Sequence, residues 1–266
     1  MENPLFESLV RNSMSLVSEE GDGSPMSVNE TETFTLAETG EEPRFKLELN
    51  GKEVICEELL DLTDYPRLRK VKVLELDGNE FGDEGVEILS GAEAFSNLVS
   101  LSLSNNKLTD RAVRALADSP FLKRLRRLYL QRNHIGPAGA EALATSETLS
   151  GLEVLYLKAN PLGPDGVAAL ARSRSLRNLR ELYLQRTRMG CEGLAALAAS
   201  PILSSARVLS LSHNGLDDRA ADALAGSGTL ANLANLDLYG NKIGETGLRM
   251  IRESSNLKSL RVVQAE

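Results

Sequence analysis

The chain has 266 residues, of which 42% are hydrophobic and 26% are charged, and its formal net charge at pH 7 is −8. No apolar run approaches the ~18 residues that a membrane-spanning helix needs, so the sequence predicts no membrane insertion. The two cysteines, Cys56 and Cys191, lie too far apart to indicate a disulfide framework or a metal-binding spacing, and they fit reduced thiols in a cytoplasmic protein.

The first 43 residues hold most of the acidity. They contain ten acidic residues against Arg11 alone and so carry −9, and subtracting −9 from −8 leaves the rest of the chain at +1. Residues 1–43 are poor in apolar side chains and lack the basic start and apolar core of a secretory signal. They predict an acidic, disordered leader. In the alternative, residues 5–17 form a short amphipathic segment that docks on a partner or folds back onto the body.

Residues 44–70 predict a cap for the body that follows. One period before the first full repeat, several apolar positions are kept, namely Leu47, Leu49, Val54, Leu62 and Leu68. We interpret 44–70 as a degenerate N-terminal capping repeat, because the exposed core at the end of a solenoid requires one. The alternative is a β-hairpin of 45–49 and 52–54 across the turn dipeptide Asn50-Gly51.

Residues 71–266 repeat every 27 residues, in seven units and part of an eighth. The first column reads Val71, Leu98, Leu125, Leu152, Leu179, Ala206, Leu233 and Leu260. The column three residues on reads Leu74, Leu101, Leu128, Leu155, Leu182, Leu209, Leu236 and Val263. An asparagine column follows at Asn79, Asn106, Asn133, Asn160, Thr187, Asn214 and Asn241. Since no insertion interrupts the register, the units are expected to stack into one continuous core.

Each unit predicts one short strand and one helix. Side chains alternate around the central leucines, as in Leu128-Tyr129-Leu130, with the period of a strand that has one buried face. The second half of each unit is rich in alanine and has apolar residues three apart, which favours a helix. The asparagine amides can both donate to and accept from the backbone of adjacent turns, so they predict a ladder. Thr187 interrupts this ladder and predicts a local weak point.

Residues 125–144, LRRLYLQRNHIGPAGAEALA, follow the pattern L-x-x-L-x-L-x-x-N-x-I-G-x-x-G-A-x-A-L-A almost letter for letter. In these columns the chain resembles the ribonuclease-inhibitor-like subclass of leucine-rich repeat proteins, which includes bacterial arrays. The resemblance implies an α/β fold, a curved solenoid with a parallel β-sheet on the concave face and α-helices on the convex face. It is weak evidence for function, because the family includes inhibitors, GTPase activators, immune sensors and bacterial effectors.

The sequence offers no candidate catalytic group. His134 and His213 are three repeats apart, and stacking at ~5 Å per repeat separates them by ~15 Å, too far to share a proton or a metal ion. Cys191 lies at a helix start, but no general base falls near it in register. The glycines recur with the repeat and serve packing. We therefore predict that the protein is not an enzyme and uses no metal or cofactor.

Side chains between the strand leucines are predicted to line the concave face. Tyr129, Tyr156 and Tyr183 share one column in consecutive repeats, and tyrosine and arginine are enriched in interface hot spots. The predicted partner-binding residues are Tyr129, Tyr156, Tyr183, Tyr239, Arg127, Gln131, Arg132, Lys158, Gln185, Arg186 and His213. In the alternative reading, tyrosine simply suits an exposed strand position and the basic residues are solvated.

These features predict a non-catalytic module that binds a protein with an acidic or phosphorylated patch across repeats three to five. In an intramolecular version, the acidic leader shields the basic centre until a partner displaces it. Nucleic acid is a less favoured partner, because the body is nearly neutral. The resemblance leaves open a GTPase-activating or other regulatory protein, and a bacterial effector delivered into another cell. Residues 260–263 begin an eighth strand without a visible cap, so this edge is a candidate surface for self-association.

Overall fold

The computed structural model describes residues 4–16, 44–65 and 67–265, and within them ten strands form one sheet in sequence order. The strands are β1 (Met14–Leu16), β2 (Phe45–Glu48), β3 (Val71–Glu75), β4 (Ser100–Ser102), β5 (Arg127–Tyr129), β6 (Val154–Tyr156), β7 (Glu181–Tyr183), β8 (Val208–Ser210), β9 (Asn235–Asp237) and β10 (Val262–Gln264). The helices are α1 (Pro4–Asn12), α2 (Cys56–Thr63), α3 (Gly82–Gly91), α4 (Asp110–Asp118), α5 (Pro137–Thr145), α6 (Gly163–Ala171), α7 (Gly190–Ala198), α8 (Asp218–Ala225) and α9 (Glu245–Arg252). In this described part of the chain, no helix has the length and apolar character that crossing a membrane requires.

The strands and helices form the curved α/β solenoid that the sequence predicts. From β2 to β10 each strand is parallel to the next, because a helix or turn returns the chain to the same edge after every strand. The sheet lines the concave side and the helices form the convex side. Leu101 lies opposite Leu128, and Leu128 lies opposite Leu155. These leucines are at most 1% exposed, so the leucine columns form one continuous buried spine.

The asparagine column forms a buried hydrogen-bond ladder, of which Asn133 is representative. Its Oδ1 accepts hydrogen bonds from the backbone N–H groups of Asn106 (2.9 Å) and Leu108 (3.1 Å). Its Nδ2 donates to the carbonyl oxygens of Leu103 (3.0 Å) and Leu130 (2.9 Å). One amide therefore satisfies four backbone groups in two consecutive repeats, which explains why a polar residue stands in the core.

Thr187 is the member of this ladder with the fewest donors. Its buried hydroxyl carries one hydrogen, and the acceptors within reach are the Leu184 carbonyl (2.9 Å) and Asn214 Oδ1 (3.1 Å). An asparagine amide carries two hydrogens and donates to its own repeat and to the preceding one. We expect Thr187→Asn to restore the second donation. The expected gain is about 1 kcal/mol in the free energy of unfolding, or roughly 2–4 °C in the melting temperature.

Thermal unfolding followed by circular dichroism checks this expectation. Thr187→Val is the matched control, because it removes the hydroxyl at nearly constant volume and should lower the melting temperature. If the asparagine variant melts at or below the wild-type temperature, Thr187 is not a weak point of the solenoid.

The N-terminal residues correct the prediction of a leader disordered throughout. Residues 4–16 form α1 and β1, and β1 pairs antiparallel with β2, with Met14 opposite Leu47. Phe6 and Val10 of α1 are at most 2% exposed and belong to the same apolar core as the leucine columns. So short a segment folds because the open end of the solenoid supplies the apolar surface that it lacks. Residues 17–43, on which the shielding hypothesis rests, lie outside the described residues.

Residues 44–65 have the order of strand, turn and helix. β2 is parallel to β3, and α2 follows it. Asn79 continues the ladder into this unit, since its Oδ1 accepts from the N–H groups of Lys52 (2.9 Å) and Val54 (3.1 Å). Residues 52–54, all of them described, form no strand, and the antiparallel partner of β2 is β1. The arrangement therefore has the strand, turn and helix of a repeat and not the hairpin, and the capping role of residues 44–70 stays a prediction.

At the other end, β10 pairs with β9 and is the last strand in the sheet order. Val262 of β10 is 44% exposed, and Leu257 before it is buried against the core. An edge strand with an exposed apolar side chain is a surface on which another strand can pair. Self-association through this edge stays a prediction.

Candidate partner-binding surface

Three tyrosines stack along the concave face. Tyr129 lies opposite Tyr156, and Tyr156 lies opposite Tyr183, in the register of β5, β6 and β7. The ring centroids of Tyr129 and Tyr156 are 4.8 Å apart at an interplanar angle of 29°. Those of Tyr156 and Tyr183 are 3.7 Å apart at 11°. The three rings, here called the tyrosine row, stand side by side because their common column places them on neighbouring strands.

The phenol groups of the row remain neutral. Burial raises the pKa of Tyr129 and of Tyr156 above the ordinary value. The pKa of Tyr183 is raised first by burial, and also by the neighbouring phenol of Tyr156 and carboxylate of Glu181. The Tyr183 hydroxyl donates a hydrogen bond of 2.9 Å to Glu181 Oε2. A phenol with a raised pKa keeps its proton across the physiological pH range, so the row presents uncharged O–H groups.

Small polar side chains flank the tyrosine row on the neighbouring strands. Ser102 and Ser210 occupy the tyrosine position on β4 and β8. The Ser102 hydroxyl donates to Asp77 Oδ1 (2.6 Å), and the Ser210 hydroxyl donates to Asp237 Oδ2 (2.5 Å). Because serine is small, a cleft of about 310 Å³ opens between β3 and the ring of Tyr129. The rings are therefore the prominent feature of the middle of the face.

Two glutamines next to the row have unpaired amide oxygens. Gln131 and Gln185 lie two residues after tyrosines of the row, and Lys158 occupies the same column between them. The Oε1 atoms of both glutamines are buried and accept no hydrogen bond from the described residues. A buried acceptor without a donor costs about 1–3 kcal/mol. Both oxygens are closed to solvent in the free chain, so a partner can reach them only if the glutamine side chains turn.

The basic residues predicted for the site fall into two groups. Arg127 and Lys158 are half-buried on the concave face beside the tyrosine row. Arg132 and Arg186 follow β5 and β7 in the left-handed conformation, with φ of 57° and 56°, and are exposed at the edge where the strands end. Only the first pair therefore shares the face with the rings.

Tyr239 and His213 form a second cluster, apart from the row. Their ring centroids are 5.5 Å apart in an edge-to-face contact at 79°. Tyr239 occupies the column of Gln131 and is 49% exposed. His213 covers Gly240, where an added Cβ would lie 2.4 Å from His213 Nδ1. The structure brings three of the four predicted tyrosines into contact and leaves the fourth at the side.

The described residues contain no group of three histidine, cysteine or acidic side chains that could hold a metal ion. The Cys191 thiol donates to Asp217 Oδ1 at 3.1 Å. Hydrogen bonds from Arg219, and then from Cys191, hold the pKa of the Asp217 carboxyl well below its usual range. The carboxylate that Cys191 contacts is therefore already engaged by the backbone N–H and the guanidinium group of Arg219.

The sequence model of a family described as leucine-rich repeat matches residues 67–90, 96–117, 123–144, 175–198 and 207–225. None of the curated proteins matches the chain. Among solved structures, an internalin from Listeria monocytogenes is similar over 77% of this chain and 43% of its own, with 19% identity and a TM-score of 0.41. A chain of the TLR13–ssRNA13 complex is similar over 79% and 30%, with 19% identity and a TM-score of 0.47. A chain of the yeast Rad7 and Elc1 complex is similar over 79% and 64%, with 16% identity and a TM-score of 0.45. This chain spans less than two thirds of each.

Proposed function

We propose that this chain, a leucine-rich repeat protein, is a non-catalytic interaction module that binds a partner protein across its tyrosine row. We assign its 27-residue repeat to the ribonuclease-inhibitor-like subclass. We place the protein in the cytoplasm, where the free thiols of Cys56 and Cys191 stay reduced.

The observation that carries this proposal is the stacking of Tyr129, Tyr156 and Tyr183 on a face whose other side chains are mostly polar. Stacked rings lose little side-chain freedom on binding, because their neighbours already hold them in place. Tyrosines buried at the centre of an interface can each contribute ~2 kcal/mol or more.

Affinity capture on the immobilised chain tests the proposal. A variant with Tyr129, Tyr156 and Tyr183 all replaced by alanine is compared with the wild type, and retained proteins are quantified by mass spectrometry. The partner is the protein that the wild type retains and the triple variant loses. If the two retain the same proteins in the same amounts, the tyrosine row is not the binding surface.

We propose an acidic or phosphorylated patch on the partner, because Arg127 and Lys158 lie beside the rings. We expect Arg127→Glu with Lys158→Glu to weaken binding at least ~10-fold at low ionic strength, since each change turns an attraction into a repulsion. The wild-type affinity should fall as salt is added, and that of the double variant should not. Calorimetric titration with the captured partner measures both.

Arg114→Glu is the control for this prediction, because Arg114 is exposed on α4, on the convex side. It should leave the affinity within about twofold of the wild type. An equal loss in the control and in the double variant would mean that net charge, and not this face, determines binding.

A further inference from the structure

A second cleft lies at the edge of the sheet where the strands begin. It has a volume of about 530 Å³ and extends along the starts of β7 to β10. Its polar lining consists of Arg180, Ser205, Arg207, Asn232, Ser259 and Arg261. We call it the arginine cleft. It is separate from the tyrosine row, which lies further along the strands on the concave face.

The repeat register explains the position of the arginines. Arg180, Arg207 and Arg261 each immediately precede a strand, and Ala234 occupies the equivalent place before β9. One strand spacing of about 5 Å therefore separates the backbones of Arg180 and Arg207, and about 10 Å separates those of Arg207 and Arg261. The methyl group of Ala234 leaves the space between the last two arginines open, and this space is part of the cleft.

The guanidinium groups are largely available to a ligand. Arg180 approaches Glu153 only at 3.8 Å, and both side chains are exposed. Arg207 and Arg261 make no ion pair with any described residue. Their backbone N–H groups are already used, since Arg207 donates to the Arg180 carbonyl (2.7 Å) and Arg261 donates to the Ala234 carbonyl (2.9 Å). The side chains are thus the donors left for a bound group.

The lining fits an oxyanion with several acceptor atoms. A guanidinium group presents its N–H donors in a fork that matches the oxygens of a phosphoryl group. The hydroxyls of Ser205 and Ser259 add neutral hydrogen-bonding groups. The Asn232 amide lines the same space, and its Nδ2 already donates to the Ser204 carbonyl (2.8 Å). Among the described residues that line the cleft there is neither a carboxylate nor an aromatic ring. This lining disfavours the binding of a cation. It also offers no aromatic ring on which a nucleobase could stack.

We propose that the arginine cleft binds a phosphoryl group carried by the protein that occupies the tyrosine row. The inference rests on the proposed function. Arg180 and Tyr183 belong to one stretch of chain along β7, about 10 Å apart. A partner segment that crosses the row therefore reaches the cleft along the same strand. A phosphorylated side chain carries nearly two negative charges and three acceptor oxygens. Three arginines therefore bind it more tightly than they bind a single carboxylate.

Titration of the full chain with inorganic pyrophosphate, followed by calorimetry at low ionic strength, tests the cleft without any partner. We expect saturable binding that weakens with salt. Arg207→Ala with Arg261→Ala should weaken it at least ~10-fold, since two charge-assisted hydrogen-bonding groups are lost. Arg207→Lys with Arg261→Lys should restore it only in part, because lysine keeps the charge and loses the fork.

Arg114→Ala with Arg174→Ala is the matched control, since it removes the same charge from exposed positions outside the cleft. It should change pyrophosphate affinity less than twofold. Absence of saturable binding by the wild type, or an equal loss in both double alanine variants, overturns the proposal.

Capture of the partner separates its phosphoryl group from a free phosphate compound. Phosphatase treatment of the partner and the Arg207→Ala, Arg261→Ala variant should each reduce retention at least ~10-fold. If pyrophosphate binds but neither change affects retention, the cleft serves a free phosphate compound and the proposal is wrong. If the triple tyrosine variant retains the same proteins as the wild type, the proposed function fails instead, while the pyrophosphate result still reports on the cleft itself.

Discussion

Tyr156→Ala is expected to weaken partner binding about 30- to 100-fold, which corresponds to a loss of about 2–3 kcal/mol. Tyr156 is the central ring of the row and contacts both neighbours, with centroids 4.8 Å and 3.7 Å away. Its removal deletes the middle of the contact and also frees Tyr129 and Tyr183, which then lose side-chain freedom when the partner binds. Replacement of either outer ring removes one stacking contact and should cost less.

Titration with the captured partner measures these affinities. Tyr239→Ala is the control, because Tyr239 lies outside the row beside His213, and it should change the affinity less than about threefold. Tyr156→Phe keeps the ring and removes the hydroxyl, so it separates stacking from hydrogen bonding. An effect of Tyr156→Ala no greater than that of Tyr239→Ala would show that the row is not the centre of the interface.

Asn133→Ala is expected to lower the free energy of unfolding by about 4 kcal/mol. Asn133 is 4% exposed, and its amide satisfies two backbone N–H groups and two carbonyl groups. Alanine would leave the two N–H groups and the Leu103 carbonyl without a partner in the core, while the Leu130 carbonyl would keep its bond from Asn160 Nδ2 (2.9 Å). Each buried unsatisfied group costs about 1–3 kcal/mol before the structure relaxes. Urea denaturation followed by circular dichroism measures the loss.

Asn241 provides the matched control for this prediction. Its Oδ1 accepts from the N–H groups of Asn214 (2.9 Å) and Leu216 (3.1 Å), and its Nδ2 donates to Leu211 and Leu238. Asn241 is only half-buried, so water can replace part of its hydrogen bonding in an alanine variant. We expect Asn241→Ala to cost less than half as much as Asn133→Ala. Equal losses would mean that burial does not determine the strength of the ladder.

The spacing of the sequence was sufficient to predict the stack and the tyrosine row. Leu128, Leu155 and Leu182 recur at one interval, and equal intervals place equivalent residues opposite one another on adjacent strands. The same constant interval predicts that Tyr129 lies beside Tyr156, and this prediction needs no coordinates. In a solenoid each repeat contacts mainly its neighbours, so short-range sequence pattern determines most of the packing.

The edges of the sheet were not predictable in this way. Arg132, Ala159 and Arg186 all adopt the left-handed conformation, with φ of 57°, 58° and 56°. Neither arginine nor alanine prefers that region. The stacked repeats impose it, because the chain must turn there into the buried ladder residue, which is Asn133, Asn160 or Thr187. The turn also places Arg132 and Arg186 at the edge of the sheet instead of on the face with the tyrosines.

The repeat, the buried leucine columns and the alignment of the three tyrosines follow from interval and side-chain type, so they could be predicted without coordinates. The way in which α1 and β1 close the open end, where Phe6 and Val10 are buried, could be seen only in the folded chain. The same holds for the space that Ala234 leaves between arginines two repeats apart. These features depend on contacts that the repeat interval does not specify. The free energy of such contacts comes from surfaces that exist only after the solenoid has formed.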